Sequence, residues 1–154
     1  MRLTEFLRPD RILPELHASG RDEVFEALGA LAASLEPTAD REEVIRHLTA
    51  REEEYTTVLG DGIAIPHATI PALSTPLLLL GIAPAPIQFG PDTSAEADVF
   101  FVLLSPPGGQ TRHIKMLARI CRIARDPAFT AALRSGGDAP TVFEAIRAVD
   151  ERHV

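Results

Sequence analysis

The residues best suited to chemistry lie in one short stretch, Ile63-Ala64-Ile65-Pro66-His67, an apolar strand-like run that ends in proline and then presents a histidine. Proline fixes its own φ and drives the residue before it, Ile65, into extended geometry. The imidazole of His67 therefore sits on a stiff mount, which suits a nucleophile. Upstream lies Thr56-Thr57-Val58-Leu59-Gly60-Asp61-Gly62. Gly60 and Gly62 permit backbone approaches closed to other residues, and the hydroxyl and N–H groups of Thr56 and Thr57 are donors for an anion. Sixteen residues before His67 stands Arg51. The pattern reads as a small phosphate pocket beside a reactive histidine.

A second histidine stands out. His113 falls in the first turn of a helical pattern in which His113, Leu117, Ile120 and Ala124 share a face. Both His67 and His113 follow strand-like runs, and ligands of open α/β sheets collect where strands end and helices begin, so the two are expected to converge. A hydrogen-bonded structural role for His113 is the alternative. His17 and His153 read as solvated and His47 as a boundary residue of its helix. Arg112, Lys115, Arg119, Arg122 and Arg125 surround His113 and form either a solvated helix face or part of the phosphate site.

Other chemistries find less support. A catalytic zinc centre usually takes three protein ligands, and the spacing of His, Asp and Glu here suggests none, so no metal is expected. A Gly-x-Ser-x-Gly nucleophile turn is absent from the sequence. The lone Cys121 lies on a helical apolar face and reads as a small buried hydrophobe rather than part of a disulfide framework. With a formal net charge of −7 and one lysine, the chain is not expected to bind nucleic acid, which requires clustered positive charge. No apolar run approaches the roughly 20 residues that span a bilayer, and Met1-Arg2-Leu3-Thr4-Glu5-Phe6-Leu7-Arg8 carries charges where a signal peptide needs an apolar run. A cytoplasmic location without membrane insertion is the expectation.

The elements that must position these residues alternate. Val24, Phe25, Leu28, Leu31, Ala32 and Leu35 recur at helical spacing after Ser19-Gly20-Arg21. Asp40 followed by Glu43 resembles a capping box ahead of a second helix ending near Arg51-Glu52. Leu77 to Ala83 and Val99 to Leu104 are continuous apolar runs of the kind buried on both faces of a sheet. Pro84, Pro86, Gly90 and Pro91 predict a turn or irregular edge around Ile87-Gln88-Phe89. Helices follow over 110–125, from Asp126-Pro127 to Gly136-Gly137, and from Pro140 onward. The order is helix, helix, three strands, three helices, an α/β fold with a mixed β-sheet flanked by helices on both faces. At 154 residues, 45% of them apolar, a single domain spanning 1–154 is expected.

The run from Arg51-Glu52 through Thr56-Thr57-Val58-Leu59-Gly60-Asp61-Gly62 to Pro66-His67 resembles the phosphohistidine signature of the fructose/mannitol class (type 2) of enzyme IIA domains in the bacterial phosphoenolpyruvate-dependent phosphotransferase system, a class that includes the nitrogen-regulatory enzyme IIA proteins. The resemblance extends from Leu3 to the last helix. It departs from the usual Ser-Thr-Gly turn at Thr56 and Val58. It implies the family's α/β sandwich, His67 as the phosphorylated residue, Arg51 and His113 as its neighbours in catalysis, and Thr57 and Gly60 in the phosphate loop. It also implies a phosphocarrier, HPr or its nitrogen-branch relative, as donor, and an enzyme IIB (EIIB) domain or a regulated target protein as recipient, with no organic cofactor. Two functions follow as expectations: a phosphotransferase component, or a regulatory module acting through protein contacts.

Overall fold

A computed structural model describes residues 2–90 and 95–153. Its centre is a six-stranded mixed sheet in the order β1-β5-β6-β3-β2, with β4 also paired to β6. The strands are β1 (Ile12–Leu13), β2 (Val58–Gly60), β3 (Ile63–Ala64), β4 (His67–Thr69), β5 (Leu77–Gln88) and β6 (Glu96–Ser105). The helices are α1 (Arg21–Leu35), α2 (Arg41–Glu54), α3 (Gln110–Ile123), α4 (Pro127–Arg134) and α5 (Ala139–Arg152). This is the mixed sheet with helices on both faces that the pattern of apolar runs implies.

β5 and β6 run antiparallel through the middle, and Leu77 to Ala83 and Val99 to Leu104 within them are buried throughout, which is why both read as continuous apolar runs. Their side chains alternate between two cores. One face packs Leu79, Val102 and Leu104 with Val24, Phe25 and Leu28 of α1 and Val44 and Leu48 of α2. The other packs Leu78, Phe101 and Leu103 with Met116, Ile120 and Ile123 of α3, Phe129 of α4 and Ile146 of α5.

Aspartates start three of the helices: Asp40, Asp126 and Asp138 each accept a backbone N–H from the first turn, at 3.0, 2.9 and 2.9 Å. Pro127 and Pro140 follow their caps in the first turn, where a missing N–H leaves no bond unmade. α2 extends three residues past Arg51, to Glu54.

Of the turn or irregular edge expected around Ile87, the structure shows the irregular strand and not the turn. Residues 84–88 are not a turn: β5 continues through Pro84 and Pro86 to Gln88, rejoining β6 at Ile87 opposite Ala97 and Gln88 opposite Glu96. The register shifts between Ile82 and Ile87, so the prolines sit in an irregular stretch whose N–H groups the ladder does not need. Pro91 lies outside the described residues. Two short strands are additional to the sequence reading, β1 parallel to β5 and β2 antiparallel to β3.

Candidate phosphoacceptor site

The site begins with an interrupted strand. Ile63 and Ala64 pair with Val99 and Phe100 of β6, and His67 to Thr69 pair with Leu103 to Ser105, all parallel and in one constant register. Between them Pro66 has no N–H to give, although its carbonyl still accepts from Leu103 at 3.0 Å. His67 thus lies beside Leu103 at the carboxyl end of the central strand. Because alternate strand residues share a face, Leu103 and Ser105 both point to the α3 side, and there His113 waits in the first turn of α3.

The two imidazole rings meet, with centroids 5.2 Å apart and planes inclined at 60°. Nδ1 of His67 lies 2.8 Å from the carbonyl oxygen of Ile65. A carbonyl only accepts, so Nδ1 carries the proton and Nε2 is left with its lone pair. Nδ1 of His113 lies 2.6 Å from the hydroxyl of Ser105. From the other side, His47, Ala50, Arg51 and Glu54 on one face of α2 complete a cavity of about 390 Å³ with His67, Ala68, Thr69 and His113.

The electrostatics favour neutral rings. Burial pushes the His67 imidazole below its ordinary pKa, and the Arg51 charge adds to this, while the bond to the Ile65 carbonyl and the charge of Glu52 oppose it. His113 is lowered in the same direction by burial, then by His67 and Arg51. The Arg51 guanidinium donates to the Tyr55 carbonyl at 3.2 Å and lies 4.5 Å above the Tyr55 ring. Tyr55 itself is 68% exposed.

Thr57 and Gly60 are placed elsewhere. Both Thr57 donors are taken by the buried carboxylate of Glu52, the N–H at 2.6 Å and the hydroxyl at 2.7 Å. This clamp ties the end of α2 to the start of β2. Gly60 lines a separate cavity of about 300 Å³ with Leu59, Asp61 and Cys121. Asp61 and Gly62, at φ 53° and 80°, form the two-residue turn joining β2 to β3, the geometry for which Asp-Gly is suited. Arg134 holds that turn by bonds to Asp98 and to the Asp61 carbonyl. Cys121 is half-buried against the α3-side core.

The basic run on α3 also resolves into particular partners. Arg119 is not solvated: it is buried in an ion pair with Asp150 at 2.7 Å and donates to the His153 carbonyl. Arg122 donates to the same carbonyl at 2.8 Å, and Arg112 lies over the Phe6 ring. His153, expected to be solvated, is bonded to Asp126 at 2.8 Å. The site residue that the sequence reading passed over is Ser105; Glu52 stood in the signature run without a role of its own. Ser105 gave no signal beyond ending an apolar strand eight residues before His113. Among the described residues no cluster of three His, Cys, Asp or Glu side chains could hold a metal, and no helix is long and apolar enough to cross a membrane.

Comparison with known proteins agrees with this fold. Residues 5–149 match the family described as "Phosphoenolpyruvate-dependent sugar phosphotransferase system, EIIA 2". A nitrogen regulatory protein of Bradyrhizobium diazoefficiens is 34% identical over 146 residues, 95% of each chain. Among solved structures, the nitrogen regulatory protein IIA-Ntr of Neisseria meningitidis superposes with a TM-score of 0.85 at 22% identity, covering 94% of this chain and 98% of that one. IIA mannitol of Escherichia coli gives a TM-score of 0.77 at 20% identity, covering 91% and 98%. A complex of enzyme IIA mannitol with phosphorylated enzyme IIB mannitol, also from E. coli, gives 0.78 at 18% identity, covering 92% and 97%. The chain belongs to the EIIA 2 family of the phosphoenolpyruvate-dependent sugar phosphotransferase system.

Proposed function

We propose that this chain is a phosphocarrier that accepts a phosphoryl group on Nε2 of His67 from a phosphorylated HPr-like protein. The observation that carries the reading is the bond from His67 Nδ1–H to the Ile65 carbonyl, which leaves Nε2 with a free lone pair on a ring that lines a cavity together with His113 and Arg51. In the transfer, Nε2 forms a bond to phosphorus as the bond from phosphorus to the donor breaks, and the bonding electrons stay with the donor. Such a reaction needs positioning and charge stabilisation more than covalent help. Arg51 supplies positive charge and a planar pair of donors, and His113 supplies a hydrogen-bond donor to the phosphoryl oxygens. Thr57 contributes through Glu52, by holding the end of α2 on which Arg51 rides.

The family's arrangement supports cytoplasmic action with an enzyme IIB domain or a regulated protein as the next partner. Similarity to a nitrogen regulatory protein along 95% of both chains favours the regulatory use, in which the phosphorylation state of His67 alters protein contacts. The test is transfer from phosphoenolpyruvate through purified enzyme I and a phosphocarrier, read by intact mass. Gain of one phosphoryl group by the wild-type chain and none by His67→Ala is the expected result. Equal phosphorylation of His67→Ala would overturn the assignment, and no phosphorylation of the wild type by any carrier would favour a binding module that needs no turnover.

A further inference from the structure

We propose that Ser105 is a positioning residue of this site, donating its hydroxyl hydrogen to Nδ1 of His113 and so fixing that ring as the Nε2–H tautomer, a donor to the phosphoryl group rather than a second nucleophile. The role rests on the reading of His67 as phosphate acceptor.

Ser105 is the last residue of β6 and is 2% exposed. Its carbonyl is engaged by the Ile70 N–H at 2.8 Å, and its backbone belongs to the ladder with Thr69 of β4. Its hydroxyl meets Nδ1 of His113 at 2.6 Å. A buried hydroxyl hydrogen left without an acceptor carries a full desolvation penalty. Nδ1 of His113 is the acceptor that the structure provides, so the hydrogen goes there. A neutral imidazole bears one N–H, and with Nδ1 accepting it lies on Nε2. The burial of His113 and the positive charge of Arg51 keep the ring in this neutral form.

The two rings then carry opposite tautomers. His67 is protonated on Nδ1 by its bond to Ile65 and bare on Nε2, whereas His113 is bare on Nδ1 and protonated on Nε2. One ring attacks and the other donates. A His113 ring of the other tautomer would turn a lone pair towards the phosphoryl oxygens and would compete with His67 for the group. Ser105 thereby discriminates between two histidines 5.2 Å apart.

Nitrogen-15 NMR of the histidine rings at pH 8, where both are neutral, decides the tautomer in the unaltered protein. His113 should show a pyrrole-type Nε2 and a pyridine-type Nδ1; the reverse pattern would overturn the proposal without any variant. Ser105→Ala should shift His113 towards a mixture of tautomers and lower the maximal rate of His67 phosphorylation in proportion to the fraction of Nε2–H rings lost, at unchanged carrier KM. Ser105→Thr, which keeps the hydroxyl, should restore the tautomer. A Ser105→Ala protein with the wild-type tautomer and rate would overturn the proposal. A wild-type chain that takes no phosphate would instead overturn the acceptor reading of His67, and the NMR result would still decide the Ser105 contact.

Discussion

His67 and His113 are each held at Nδ1 by an oxygen, the Ile65 carbonyl in one case and the Ser105 hydroxyl in the other, with the ring centroids 5.2 Å apart. The carbonyl can only accept, whereas the hydroxyl can give its hydrogen away. The pair is therefore asymmetric in protonation although both rings are tethered at the same atom.

The burial of the two rings gives a pH dependence with a definite sign. Burial lowers the pKa of both rings, so near the ordinary histidine value of about 6.5 the folded chain binds fewer protons than the unfolded one. Stability falls as pH drops through that value and stops falling below the folded pKa. Urea denaturation between pH 8 and pH 5 should show this loss, and His67→Gln should show less of it. The rate of phosphoryl acceptance should hold at pH 6.5 and fall only at lower pH, because Nε2 of His67 must be unprotonated. An acid limb centred above pH 6.5 would contradict the assignment.

Arg51 acts on both histidines at once. Arg51→Gln removes the charge that depresses them, so NMR titration should find the pKa of each raised. Loss of charge-assisted bonds to phosphate should slow acceptance about 10- to 100-fold, from a contribution of roughly 1.5–3 kcal/mol. Arg51→Lys should leave the two pKa values near those of the wild type and still be slower, since an ammonium cannot reproduce the planar fork or its stacking on Tyr55. Equal rates for the three proteins would remove Arg51 from the site.

The pair formed by Arg119 and Asp150 should dominate the stability of the α3 side. Asp150 is fully buried and also accepts the backbone N–H of Thr4 at 3.2 Å. Asp150→Ala would leave a buried guanidinium unpaired, at a cost of about 3–5 kcal/mol. Replacing both members with apolar residues, Arg119→Met with Asp150→Leu, should recover most of that loss in urea denaturation. A double variant no more stable than Asp150→Ala would show that the charges hold the helix in place by more than mutual compensation.

Much of this was legible in the chain because apolar runs and caps act locally. Leu77 to Ala83 and Val99 to Leu104 announce buried strands by composition, and Asp40, Asp126-Pro127 and Pro140 mark helix starts by chemistry confined to one turn. Pro66-His67 positions the ring proposed to accept phosphate by a constraint between neighbours. What escaped depends on pairing across distance. Pro84 and Pro86 read as breakers, yet the register shift opposite β6 absorbs their missing donors. Ile12 and Leu13 are too short a run to declare a strand until β5 pairs with them. Thr57 has donors suited to an anion, but Glu52 five residues earlier claims both. Arg119 resembles its exposed neighbours in sequence and differs only because Asp150 folds over it.

The contact between Thr4 and Asp150 brings the first turn of the described chain against the last helix, through the N–H at 3.2 Å and the hydroxyl at 3.4 Å. The polypeptide therefore enters and leaves the fold at nearly the same point. A unit with that geometry can be spliced into a surface loop of a host protein, or hung from it by short tethers, without prising apart the sheet that carries His67.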